Sequence, residues 1–436
     1  MAKLPTPSPA TAARHLLAAV AVVVLACAAG PAAAQAPAGG DPFGQSQLAD
    51  PIVAGAAGTG APLLTVSGFL DVGAVLITQS GPKATGGDLS WAFGNSQFTF
   101  FSQSQTFTVN ELDLNFDAQR EQGNVLYAAR ASIDFYPSRD SEAYSVAATD
   151  REFDVDEAFV SATLRHLGHT RIVLGRAPGF VTLEQQEGDA PEARLIGHSY
   201  VYLAGGGYPF GLQVIAWPVQ AVALKFGMAN GGLGAYSFYP GDNSTLNRPV
   251  ARDDDRKSTA DRLNAKTVYA AAEWTAFDRP AETGTLRLGL AAAQNPGLTW
   301  NALAARAEPY AFSNLYVAYR FGAFEVRSEA ATFSAYFETG LGAFEASLWT
   351  ALLSWYVDAS HLLTLRAEGI AFKSDRDAAV AGTGSKAGLS YRWRLADGVV
   401  LKAEALRETQ TPQYWQPTLG EALTTDVLAA SWVYAF

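Results

Sequence analysis

From Leu63 onward, apolar residues recur at every second position, with polar or charged residues in the places between. A chain with that period is a β-strand whose successive side chains point to opposite faces. Leu64, Val66, Leu70 and Val72 share one face, and Thr65, Ser67 and Asp71 the other. Leu112/Leu114/Phe116 stand against Glu111/Asp113/Asn115, Leu286/Leu288/Leu290 against Arg287, and Leu389/Tyr391/Trp393/Leu395 against Ser390/Arg392/Arg394. Such a strand must place its two faces in different media. The pattern predicts strands near 64–79, 106–119, 125–136, 155–165, 170–176, 209–218, 221–230, 266–276, 285–294, 312–321, 324–335, 343–357, 362–373, 386–396, 399–408 and 424–436.

A water-soluble sandwich also alternates, so the medium on the apolar side has to be argued. The strands are long and numerous, and aromatics gather near the ends of the apolar faces (Phe116, Phe135, Trp274, Phe321, Trp393, Tyr434), where interfacial girdles sit. No run after residue 35 reaches the roughly 18 apolar residues of a membrane helix. In lipid, every backbone group needs an internal partner, and a closed barrel supplies one without an edge. The fold class expected is therefore all-β: a single transmembrane antiparallel β-barrel of about 16 strands, roughly 14 to 18. Breaks near 120–124, 166–169, 219–220, 322–323, 359–361 and 397–398 are short. Those at 80–105, 137–154, 177–208, 231–265, 295–311, 374–385 and 409–423 are mostly long and polar. That is the layout of short periplasmic turns and long outer loops.

The N-terminal segment reads differently. Lys3 and Arg14 give a positive region ahead of the apolar stretch Leu16 to Ala26, and Ala32-Ala33-Ala34 supplies a small-x-small cleavage pattern before Gln35. Residues 1–34 are expected to be a cleaved secretory signal. A membrane anchor and a lipoprotein signal ending at Cys27 are the alternatives. Residues 35–62, rich in Ala, Gly and Pro, are expected to be a flexible periplasmic lead-in, and 63–436 the barrel. Cys27 is the one cysteine of the 436-residue chain. A mature chain without it has no disulfide, no Cys-ligated metal and no cysteine nucleophile. The net charge of -11 argues against nucleic acid as a partner.

The last strand, Leu428-x-Ala430-x-Trp432-x-Tyr434-x-Phe436, looks like the signal that the barrel-assembly machinery reads, carried by Trp432, Tyr434 and Phe436. If the apolar faces meet outer-membrane lipid and lipopolysaccharide, the opposite faces line an interior that leans basic. Buried charges must pair or stay hydrated, and a barrel of about sixteen strands leaves an aqueous channel. The break at 177–208 carries Glu184, Glu187, Asp189 and Glu192. Folded inward, these acids would face Arg130, Arg165, Arg171, Arg320 or Arg366 and form a constriction. A solvated surface loop is the alternative.

No catalytic set emerges. His166, His169 and His361 fall in turns, His198 beside Ser199 has no specific acid partner, and no Gly-x-Ser-x-Gly elbow occurs. His166-x-x-His169 and Asp253-Asp-Asp255 read as polar turn and loop rather than metal sites. The expectation is no enzyme, no cofactor and no metal. A surface-binding or structural barrel, an adhesin or receptor with an occluded lumen, stands as the second functional class.

The order Gly68-Phe-Leu-Asp71, Phe107-Thr-Val-Asn-Glu-Leu-Asp-Leu114, Asp154-Val-Asp-Glu-Ala-Phe-Val160, Leu174-Gly-Arg-Ala-Pro178, Gly207-Tyr-Pro-Phe-Gly211 and Val222-Ala-Leu-Lys-Phe-Gly227 resembles the OmpL-like outer-membrane β-barrel porins of Gram-negative bacteria. It departs from them where a lysine gives way to Arg176 and a threonine to Ala177. The resemblance implies a passive porin of the cell outer membrane for small hydrophilic solutes or ions, with a homotrimer as the family's style of assembly.

Overall fold

The computed structural model describes residues 63–80, 105–135, 153–167, 169–187, 190–230, 266–279, 284–301, 306–337, 342–374, 381–411 and 423–436. The signal at 1–34, the lead-in at 35–62, Asp189 and Asp253-Asp-Asp255 lie outside them. Sixteen strands run in chain order: β1 (Leu63–Ser80), β2 (Gln105–Gln122), β3 (Val125–Phe135), β4 (Phe153–Leu164), β5 (Thr170–Arg176), β6 (Phe210–Val219), β7 (Val222–Asn230), β8 (Lys266–Arg279), β9 (Gly284–Asn301), β10 (Arg306–Phe321), β11 (Phe324–Phe337), β12 (Gly342–Tyr356), β13 (His361–Ser374), β14 (Ala381–Ala396), β15 (Val399–Thr411) and β16 (Leu423–Ala435). Each pairs antiparallel with its sequence neighbours, and β1 closes on β16, so the sheet has no free edge. Among the described residues one short α-helix, α1 (Tyr200–Gly205), and two single 3-10 turns, at Arg165–Leu167 and Glu184–Gln186, interrupt the pattern. No helix among the described residues is long and apolar enough to cross a membrane.

The β1–β16 ladder that closes the barrel runs from Ser80 with Thr424 to Phe69 with Ala435, and Gly68 and Phe436 finish it. The Gly68 amide donates to the Phe436 carbonyl at 3.1 Å, and the Phe436 amide returns a bond to the Gly68 carbonyl at 2.9 Å. A methyl at Gly68 would lie 2.1 Å from the Asp113 carbonyl oxygen on β2. Glycine supplies positive φ in several of the short turns, at Gly123, Gly322 and Gly398. Gly322, at 54°, takes the first central place of the two-residue turn between β10 and β11, where a II′ hairpin needs it.

The alternation places side chains as its period demands, with the exposure pattern of a water-soluble protein reversed. Leu174 and Leu290 are 59% exposed, whereas Arg287 is 1% and Glu325 0% exposed. Aromatics ring the short-turn end. Phe277 meets Tyr319 edge-on, and Tyr319, Phe321, Phe324 and Trp355 stack in succession across β10 to β12. Trp393 and Tyr434 are exposed at the same end.

Two details depart from the sequence reading. The break expected at 295–311 is largely ladder. β9 and β10 pair as far as Asn301 with Arg306, and a register shift between Glu308 and Tyr310 absorbs the Pro296-Gly297 irregularity. The inward faces are also not polar throughout. Tyr269, Phe312, Phe333, Leu348, Ile370 and Phe372 point inward and are buried. They lie toward the ends of β8 to β13 remote from the short turns, where an inner partner covers them.

Candidate functional site

That partner is the segment between β5 and β6, residues 177–209. Its neck is closed by the Gly179 amide donating to the Gly207 carbonyl at 2.8 Å, and by Gln213 of β6 donating to the Pro178 carbonyl at 3.1 Å. Beyond the neck, Phe180, Val181, Leu183, Tyr200, Val201 and Ala204 form one apolar cluster with the inward residues of β6 to β13. Ile196 packs separately on Leu406 and Val427. The segment thus carries its own hydrophobic face and buries it inside the barrel, which is why the inward wall there is apolar.

Below the apolar contact the wall is charged, and it meets the segment's backbone directly. An irregular segment leaves its amides and carbonyls without a ladder, and burying them unpaired is costly. Wall carboxylates take the amides. Glu404 accepts from Ile196 at 2.8 Å and Gly197 at 3.0 Å, Glu368 from Tyr200 at 3.0 Å, and Glu329 from Leu183 at 2.9 Å. Wall cations and amides take the carbonyls. Arg366 donates to Gly197 at 2.8 Å and also to His198, Lys402 to Ala190 at 2.9 Å, and Asn314 to Val181 at 2.9 Å. The same wall groups pair among themselves, Arg366 with Glu368 and with Glu404 at 3.1 Å, so their charges are neutralised where they are buried.

The acids singled out from the sequence have distinct surroundings. Glu187 binds Arg327 of β11 at 2.5 Å and Arg194 of its own segment at 2.7 Å. Arg194 in turn reaches Glu325 at 3.4 Å and the Ser354 hydroxyl at 3.0 Å. Burial disfavours the Arg194 charge, but Glu187 and Glu325 outweigh it and hold its pKa above the usual range. Glu184 stays within the segment, 2.7 Å from the His198 Nδ1 and 2.9 Å from the Ser199 amide. Burial would raise its pKa; the His198 hydrogen bond and charge, with Arg366 and Ser199 behind them, lower it below 4.5. The Glu192 side chain is exposed, and its carbonyl accepts from Arg392 at 2.6 Å.

Of the five arginines, Arg366 binds the segment through carbonyls rather than acids. Arg130 pairs with Asp117 at 2.7 Å and Glu157 at 3.5 Å, on the wall formed by β2 to β4. Arg165 lies in the turn after β4, paired with Glu121. Arg171 sits on β5 over the Phe159 ring, and Arg320 lies over the Tyr356 ring. Sequence reasoning passed over Arg194, the lone cation of an acidic stretch, and placed Glu404 on the inward face only as one charge among many. Their roles come from which wall the segment reaches. Among the described residues no three His, Cys, Asp or Glu converge on a metal position.

The described geometry is a closed sixteen-stranded barrel with an inner segment docked on the wall of β6 to β16, touching β1 through Ala190 and Phe69, and a mostly polar wall, β2 to β4, away from it. Several solved outer-membrane structures share the barrel fold. The DcaP channel of Acinetobacter baumannii superposes with a TM-score of 0.56 at 12% identity, over 87% of this chain and 99% of that one. OmpF of Salmonella typhi gives 0.55 at 10%, over 86% and 97%. An anion-selective porin from Comamonas acidovorans gives 0.52 at 12%, over 86% and 100%. At such identities the likeness establishes the fold, that of the sixteen-stranded porin barrels. No protein-family model matches the sequence, and no curated protein matches it at a significant level.

Proposed function

We propose that the chain is an outer-membrane diffusion channel for small hydrophilic solutes or ions. The observation that carries this is the reversed surface: a closed barrel with exposed Leu174, Leu290 and Leu365 outside and buried Arg287, Glu325 and Glu368 inside. Such a surface is stable only with hydrocarbon outside, and sixteen strands enclose more width than side chains alone fill. In this reading residues 1–34 direct export, 35–62 lead into the barrel, and Trp432, Tyr434 and Phe436 present the assembly signal. The segment at 177–208 narrows the lumen, and solutes pass between it and the wall of β2 to β4. That solved structures of like fold include a channel and a porin supports the reading, and the trimer form of Vibrio cholerae OmpT, also of like fold, makes a homotrimer the arrangement to look for.

The apolar cluster between the segment and β6 to β13 favours one rival: a binding or structural barrel whose lumen the segment closes. Conductance across planar bilayers separates the two. The channel reading expects discrete, ohmic openings from purified protein. Electrical silence at high protein dose overturns it and leaves the closed barrel.

A further inference from the structure

The outward face of β2 to β5 is not smooth. A groove of about 460 Å³ runs across it near the short-turn end. Its floor is set by register: Ala118 pairs with Ala129, and Tyr127 with Ala162. Small side chains therefore meet on neighbouring strands, and the groove is flanked by Tyr127, Val160 and Leu174, which are 46%, 55% and 59% exposed. At its end lies Arg120, paired across the ladder with Tyr127 and two residues from the end of β2. Arg120 is exposed on the same outward face as Phe116 and Ala118.

Two other outward cations come with a carboxylate, and Lys266 donates to the Asn230 side-chain oxygen. Lys373 lies 2.7 Å from Glu345, and Arg407 2.6 Å from Asp426. Arg120 has no carboxylate partner among the described residues. A long cationic side chain at the rim of an apolar belt reaches to headgroup depth, where the available anion is a lipid phosphate. A second copy of the chain pressed on this groove would instead have to bury that cation.

We propose that the groove is a binding site for an anionic diacyl phospholipid of the adjacent leaflet, one acyl chain lying over Ala118, Ala129 and Ala162 and the phosphate on Arg120. This rests on the membrane-spanning reading above, and the two can fail separately. Native mass spectrometry of the purified chain, delipidated in detergent and titrated with phosphatidylglycerol or phosphatidylcholine, tests it. One phosphatidylglycerol per chain is expected, preferred about five-fold, the ratio one cation near an anionic headgroup supports. Arg120→Gln should abolish the preference, Ala129→Phe should remove the bound lipid, and Arg407→Gln should keep both. An unchanged preference in Arg120→Gln overturns the site. So does a wild-type chain that holds no lipid while Ala129→Phe turns an oligomer into monomers by light scattering, since the groove is then an interface between copies. Bilayer conductance of the same samples reports on the channel independently: its absence in the wild type defeats the channel and leaves the lipid result standing.

Discussion

Glu404 shows how much one carboxylate does here. It accepts two amides of the inner segment and pairs with Arg366. Replacing it with alanine leaves a buried guanidinium and two amides short of a partner, a change that costs about 3 kcal/mol or more when a buried pair is broken. Glu404→Ala should lower the hydrogen-exchange protection of the Ile196 and Gly197 amides by about that amount while the strand ladders keep theirs. Equal protection in the variant would show that the apolar cluster alone holds the segment. Glu184 adds a pH dependence. Its folded pKa lies below the unfolded 4.5, so its stabilisation is complete above that value and is lost as pH falls through the lower, folded one. The wild-type segment should therefore loosen on acidification below pH 4.5. A Glu184→Gln chain should be weaker at neutral pH and less sensitive to acid over the same range, read by exchange at Ser199.

At the scale of the strand, the two faces follow different rules. Leu365 lies mid-strand on β13, 54% exposed, opposite Leu353 and Leu389. Arginine there should cost about 2 to 4 kcal/mol of folding into vesicles, because the charge sits deep in hydrocarbon. The same change at Tyr434, in the girdle near the chain end, should cost only about 0 to 1 kcal/mol. Denaturant titrations of the folded barrel in vesicles measure both, and equal penalties would place the outward face in water. Strand periodicity was legible in the sequence for the same reason: each outward position meets one uniform medium. The length of β9 and β10 was not, since the Pro296-Gly297 pair reads as a break and only the partner strand reveals a bulge.

For the whole molecule, the open question is which charges a passing ion meets. Glu187 and Arg327 are engaged in docking, so neutralising them disturbs the segment itself. Glu192 is the cleaner probe, because its side chain is exposed and feels Arg392, Lys402 and Arg394 only as nearby charges. Glu192→Gln should shift the reversal potential in a salt gradient toward weaker cation preference, with folding unchanged. No shift would show that its side chain stands off the ion path.

The sequence by itself determined a barrel of about sixteen antiparallel strands and which residues face outward, because period two and turn chemistry act locally and the outer medium is uniform; closure of the ladder decided the exact number. It also marked the inward charges. Only the tertiary structure decided how they are used. The acids of 177–208 do not simply oppose a basic wall: Glu184 pairs with His198, Glu187 with Arg327 and Arg194, and the wall's Glu404, Glu368 and Arg366 serve the segment's backbone. The pairings between segment and wall join residues more than a hundred positions apart. They depend on which stretch of wall the segment's own apolar face selects, and no local pattern in the chain encodes that choice.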